Sequence, residues 1–89
     1  MAWTVELSPG VDRQLDKLDP KHARRILKFL FERLARLEDP RSIGGPLQGQ
    51  LREYWKYRVG DYRVLCAIQD ERLVALVVKI GHRSEVYRR

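Results

Sequence analysis

The chain has 89 residues and a mass of 10.5 kDa, one domain's worth of polypeptide, so a second independent core is excluded. At 44% hydrophobic and 34% charged it is too apolar for a disordered chain and too evenly charged for a membrane protein. Its lone cysteine, Cys66, excludes an intrachain disulfide framework and a cysteine-rich zinc site.

The N-terminal run has no basic stretch followed by an apolar one, so export is not signalled and a cytoplasmic protein is expected. Trp3 to Leu7 alternates apolar and polar residues, the period of a half-buried strand. Ser8 and Pro9 suit the cap and first turn of a helix, and Val11, Leu15 and Leu18 follow at helical spacing. Asp19 and Pro20 repeat that signal and open a second helix. Along it Ile26, Leu27, Leu30, Phe31, Leu34 and Leu37 form an apolar stripe, ended by Asp39 and Pro40. His22, among the helical charges, is expected on the solvated surface.

From Arg41 to Gln50 the glycines and Pro46 predict a connecting loop, with Leu47 and Leu51 reaching the core. Three strand-like runs follow, Tyr54 to Val59, Tyr62 to Ile68 and Leu73 to Ile80. Gly60-Asp61 is a two-residue link suited to a tight hairpin, with a second turn from Gln69 to Arg72. The order β-α-α-β-β-β predicts a single α+β domain over residues 1–89, a helical hairpin packed on a largely antiparallel four-stranded sheet.

The net charge of +6 is uneven. Up to Pro40 eight Lys and Arg stand against seven Asp and Glu; after it ten stand against five, so the halves carry +1 and +5. Such a bias points to a polyanionic partner such as nucleic acid, although many small soluble domains are basic without one. The hairpin register gives the charge a location. A two-residue turn pairs Val59 with Tyr62, Arg58 with Arg63, Tyr57 with Val64 and Lys56 with Leu65, and directly paired residues share a face. Lys56, Arg58 and Arg63 then project from one side. Tyr57, Val59, Tyr62, Val64 and Cys66 project toward the helices, where Cys66 fills space rather than reacting. Two arginines directly opposite repel, a local conflict of the kind found where a function requires it. Leu65 and Ala67, with Leu76 and Val78 opposite, put apolar groups on the cationic face, so the tail or a protein partner is expected to cover part of it. Gly81 permits a bend out of the last strand, after which His82, Arg83 and Tyr87 can return toward the cations.

This constellation suits RNA cleavage, which needs no metal because the substrate's own 2′-OH can attack the adjacent phosphate. The protein must take that proton, stabilise the charge building on phosphorus and protonate the leaving 5′-oxygen. Arg58, Arg63 and Arg83 are candidates for holding phosphate oxygens. Lys56 is a candidate base if its cationic neighbours disfavour the protonated ammonium. Tyr87 is a candidate for stacking on a base or for proton transfer, and His82 offers an imidazole, the side chain that titrates nearest neutral pH. No glycine-rich phosphate loop, Cys/His metal cluster or Ser-His-Asp set stands out, and no cofactor or metal is expected.

The runs LQGQLREYWKYRVGDYRVLC, from Leu47 to Cys66, and IGHRSEVY, from Ile80 to Tyr87, resemble the RelE toxins of the RelE/ParE superfamily. The resemblance implies the toxin of a type II toxin–antitoxin module, an endoribonuclease that cleaves mRNA in the ribosomal decoding site. It further implies a cognate antitoxin that neutralises the toxin and carries the complex to operator DNA. By position it implies catalytic roles for Lys56, Arg63 and Tyr87, a substrate-backbone contact for Arg58, and a C-terminal catalytic group that is either His82 or Arg83. Tyr54 stands where some members carry a second lysine. Antitoxin contacts are expected around Leu65, Leu76 and Val78. Two other readings stay open: a ParE-like inhibitor of DNA gyrase, which needs no RNA-cleaving set, and a catalytically weak toxin acting mainly in a repressor complex.

Overall fold

A computed structural model describes residues 3–47 and 54–82. Strand β1, Thr4–Leu7, is followed by helix α1, Pro9–Asp16, and helix α2, Pro20–Lys28. The helical path then loosens into a π turn at Phe29–Arg33 and tightens into a 3₁₀ turn at Leu34–Arg36. A second 3₁₀ turn, Pro40–Ser42, leads to β2, Gly45–Pro46, and then to β3, Tyr54–Val59, β4, Tyr62–Gln69, and β5, Val74–His82. One sheet has the order β1-β5-β4-β3-β2. It is antiparallel except where β1 runs parallel to β5, pairing Val5 with Ala75 and Leu7 with Val77. The sheet therefore has five strands, not four: β2 forms inside the expected loop.

Both helices begin where the Ser-Pro and Asp-Pro pairs predict. Asp19 accepts from the Lys21 amide at 3.0 Å, satisfying a donor that the first helical turn leaves open. Ser8 caps with its backbone only. Val11, Leu15, Ile26, Leu30 and Leu34 pack on Val5, Tyr57, Val59, Val64, Cys66, Ala75, Val77 and Ile80, which is the face expected to meet the helices. Leu18, Leu27 and Leu37 are half-buried against that core. Phe31, expected in the apolar stripe, is exposed. The π turn widens the helix so that Ile26, Leu30 and Leu34 line up at intervals of four, and Phe29 turns inward instead, its ring 5.7 Å from that of Tyr57.

The β3–β4 hairpin has the predicted register at every pair, with Gly60 at φ +60° in the turn. The next turn takes in Leu73, which adopts φ +55°, so β5 starts at Val74. Between the Leu65–Lys79 and Cys66–Val77 pairs Val78 is the extra residue of a bulge, and Lys79 rather than Val78 stands opposite Leu65. Nor does the strand leave the sheet at Gly81: β5 continues to His82, pairing Gly81 with Arg63 and His82 with Tyr62. Among the described residues no helix is long and apolar enough to cross a membrane.

Candidate active site

The outer face of the sheet carries the charge. Lys56 and Arg58 alternate with the core residues Tyr57 and Val59 along β3, and Arg63 on β4 stands directly across from Arg58. All three line one cleft of about 260 Å³, together with Tyr57 and the backbone of Gly44 and Gly45. They sit at graded depth: Arg58 is exposed, Lys56 half-buried, and Arg63 only 8% exposed. The opposite neighbour of Arg63 is Gly81, which has no side chain to contest that space.

One wall of the cleft is Gly44 and Gly45, at the end of a segment from Pro40 to Pro46 that two aromatic side chains of β3 hold in place. The Tyr57 hydroxyl, buried, donates to the Pro40 carbonyl at 2.6 Å, and Trp55 Nε1 donates to the Ile43 carbonyl at 2.6 Å. Burial pushes the Tyr57 phenol well above its ordinary value, so it remains a neutral donor at physiological pH. Arg41 grips Asp70 in the β4–β5 turn through two bonds of 2.9 and 3.0 Å, which holds the Asp70 carboxyl below the usual carboxylate range. Gly44 completes the wall at φ +76°. A Cβ there would collide with the Lys56 carbonyl oxygen and stand 2.8 Å from Tyr57 Cδ1, so this position requires glycine.

Of the expected site residues, the fold brings together Lys56, Arg58 and Arg63. His82 goes elsewhere: paired with Tyr62 it lies on the helix-facing side, the two rings edge-on at 5.6 Å, with His22 of α2 at 5.4 Å from the same tyrosine. His22 is accordingly half-buried rather than fully solvated. Arg83 and Tyr87, like Leu51, lie outside the described residues. Leu65 is 8% exposed and already buried within this chain, while Leu76 and Val78 are half-buried, so the expected apolar strip is less open than its sequence implies. Cys66 is fully buried, and burial pushes its thiol up to about 12. From sequence Gly44 and Gly45 belong to a connecting loop, Tyr57 to the helix-facing core and Trp55 to structural packing, and none of them is expected at the cleft. The only signal available was the juxtaposition of a Gly-Gly pair with a strand whose tryptophan and tyrosine need hydrogen-bond partners.

Comparison with known proteins agrees with this architecture. Residues 5–87 match the family model described as ParE toxin of the type II toxin–antitoxin system parDE. Toxin RelG of Mycobacterium tuberculosis is 34% identical over 89 residues, spanning 100% of both chains. The toxin–antitoxin complex RelBE2 from Mycobacterium tuberculosis contains a chain that superposes with a TM-score of 0.85 at 30% identity, covering 96% of this chain and 95% of that one. In the archaeal RelE–RelB complex from Pyrococcus horikoshii the TM-score is 0.73 at 28% identity, over 96% and 99% of the two chains.

Proposed function

The chain belongs to the ParE toxin family of type II toxin–antitoxin systems and is a RelE-type toxin, and from that premise we propose that it is a ribosome-dependent mRNA endoribonuclease neutralised by a cognate antitoxin. The observation that carries this reading is the convergence of Lys56, Arg58 and Arg63 on one cleft. Two arginines facing each other across a ladder repel, and an anion seated between them turns that repulsion into a pair of charge-assisted contacts. A phosphodiester has the required charge, and its phosphorane transition state carries more of it.

In the reaction the 2′-oxygen bonds to phosphorus and the bond from phosphorus to the 5′-oxygen breaks, leaving a 2′,3′-cyclic phosphate and a free 5′-hydroxyl. Arg63 is the enclosed phosphate contact. Sheltered from water, its guanidinium acts on the developing charge with less screening than a surface residue would. Exposed Arg58 steers and holds the backbone, and the Lys56 amine is the candidate for receiving the 2′-OH proton. A group from the tail, Arg83 or Tyr87, is proposed to return a proton to the 5′-oxygen. His82 is not retained in that role, since its register directs it to the opposite face from the cleft.

The test is cleavage of mRNA on programmed ribosomes by the purified protein. Arg63→Ala is expected to lower kcat/KM by about 10²–10³, the usual consequence of removing one transition-state donor. Undiminished cleavage by that variant refutes the site assignment. Growth arrest with intact mRNA and a DNA-damage response would instead favour gyrase as the target.

A further inference from the structure

Gly44 and Gly45 are adjacent, but only the first is explained by folding. Gly45 has no positive φ, and a Cβ built on it meets no atom of the described residues within 4 Å. Glycine within a strand carries an entropic penalty relative to alanine and packs nothing, so its presence here has no structural return. Its position is informative. Gly45 pairs with Lys56 across the β2–β3 ladder, and cross-strand partners share a face, so a side chain at Gly45 would rise beside Lys56 on the cationic side. Gly45 also lines the cleft.

We propose that the missing side chain at Gly45 is a substrate-determining feature, leaving room over Lys56 for the ribose–phosphate backbone of a single RNA strand to lie close against β2. This inference rests on the ribonuclease reading of the cleft and adds the side from which the strand enters. Approach along the edge of β2 is disfavoured. The Leu47 amide donates to the Tyr54 carbonyl at 3.2 Å, so the alternation of the antiparallel ladder turns Pro46 outward, and Pro46 has no N–H to offer another strand. What comes to Gly45 therefore comes over the face, where the charges are. Lys56 follows Arg58 two residues along the same face of β3, so a polymer that presents one phosphate to Arg63 and Arg58 and runs on toward Lys56 passes beside Gly45, which has no Cβ.

The experiment is a size series, Gly45→Ala, Gly45→Val and Gly45→Leu, assayed for mRNA cleavage on programmed ribosomes, growth arrest on induction and thermal stability. Because a Cβ at this position meets no atom of the described residues, Tm of Gly45→Ala is expected to stay within about 2 °C of wild type. Cleavage is expected to fall stepwise with side-chain size, through a rise in KM, to at least tenfold at Leu, with growth arrest lost in parallel. Wild-type activity retained by Gly45→Leu overturns the inference alone. Loss of antitoxin binding with cleavage intact also overturns it and assigns the space to a protein partner. A wild-type protein that arrests growth without cutting mRNA overturns the ribonuclease reading, and with it the assignment of RNA to this space. Should Gly45→Leu fold poorly, Gly45→Ala still decides between a graded loss and none.

Discussion

Replacing Tyr57 by Phe removes a single oxygen atom and tests whether the cleft wall is held by β3. The ring is 1% exposed, packs against Phe29 and stays in place in the variant. What is lost is the 2.6 Å bond to the Pro40 carbonyl, which spans 17 positions of sequence and ties the start of the 40–46 segment to the sheet. A buried hydrogen bond contributes about 1 kcal/mol net, and an acceptor left without a partner adds a desolvation penalty, so the expected destabilisation is about 1–3 kcal/mol. For a domain of this size that corresponds to a Tm decrease of roughly 4–8 °C per kcal/mol. Urea unfolding should show a lower midpoint with an unchanged slope, because the area exposed on unfolding is the same. Cleavage should also weaken, since Tyr57 lines the cleft beside Gly44 and Gly45 and its hydroxyl anchors the segment that carries them. A change below about 0.3 kcal/mol would refute the argument, because the carbonyl would then have found an equivalent partner in water and the segment would not depend on this anchor.

Gly44→Ala should destabilise by about 1–2 kcal/mol from the left-handed backbone alone, plus the displacement of Tyr57, measurable in the same urea titration. Cys66 should resist iodoacetamide at neutral pH in the native protein and react after unfolding, because it is fully buried with its thiol pushed up to about 12; labelling of folded protein would contradict that burial. Asp70 has a folded-state pKa below its unfolded value, so the Arg41–Asp70 contact adds stability above the ordinary carboxylate pKa of about 3.9, and that stability is lost as pH falls through the lower folded value. Asp70→Asn should thus separate from wild type at neutral pH and converge with it in acid, read from unfolding midpoints across pH. Arg58→Ala should weaken ribosome binding and reduce its salt dependence, with little effect on Tm, since the side chain is exposed.

The hairpin was legible from residues 54–68 because a two-residue turn leaves one register open, and that register placed Lys56, Arg58 and Arg63 on one face. Strand β2 was not legible. Neither glycine nor proline favours extended structure, and the pairing of Gly45 and Pro46 follows from bonds made by Trp55 and Tyr57, partners a local window does not contain. The outward turn of Phe31 escaped for a related reason: a stripe counted at 3.6 residues per turn drifts once a π turn intervenes. At Gly81 the conformational freedom of glycine permits a bend without requiring one, and pairing with Arg63 uses the extended conformation.

The parallel pairing of β1 with β5 joins two segments far apart in sequence, Thr4–Leu7 and Val74–Val77, with both helices and three strands between them. During synthesis β1 has to wait, its hydrogen-bonding edge open, until residues 74–77 are available. The same late strand supplies the second neighbour of Arg63 through Gly81. A translation product interrupted before Val74 therefore lacks both the closure of the sheet and the support of its most enclosed cation. Closing the sheet therefore depends on contacts between segments far apart in sequence, a topology that favours slow folding.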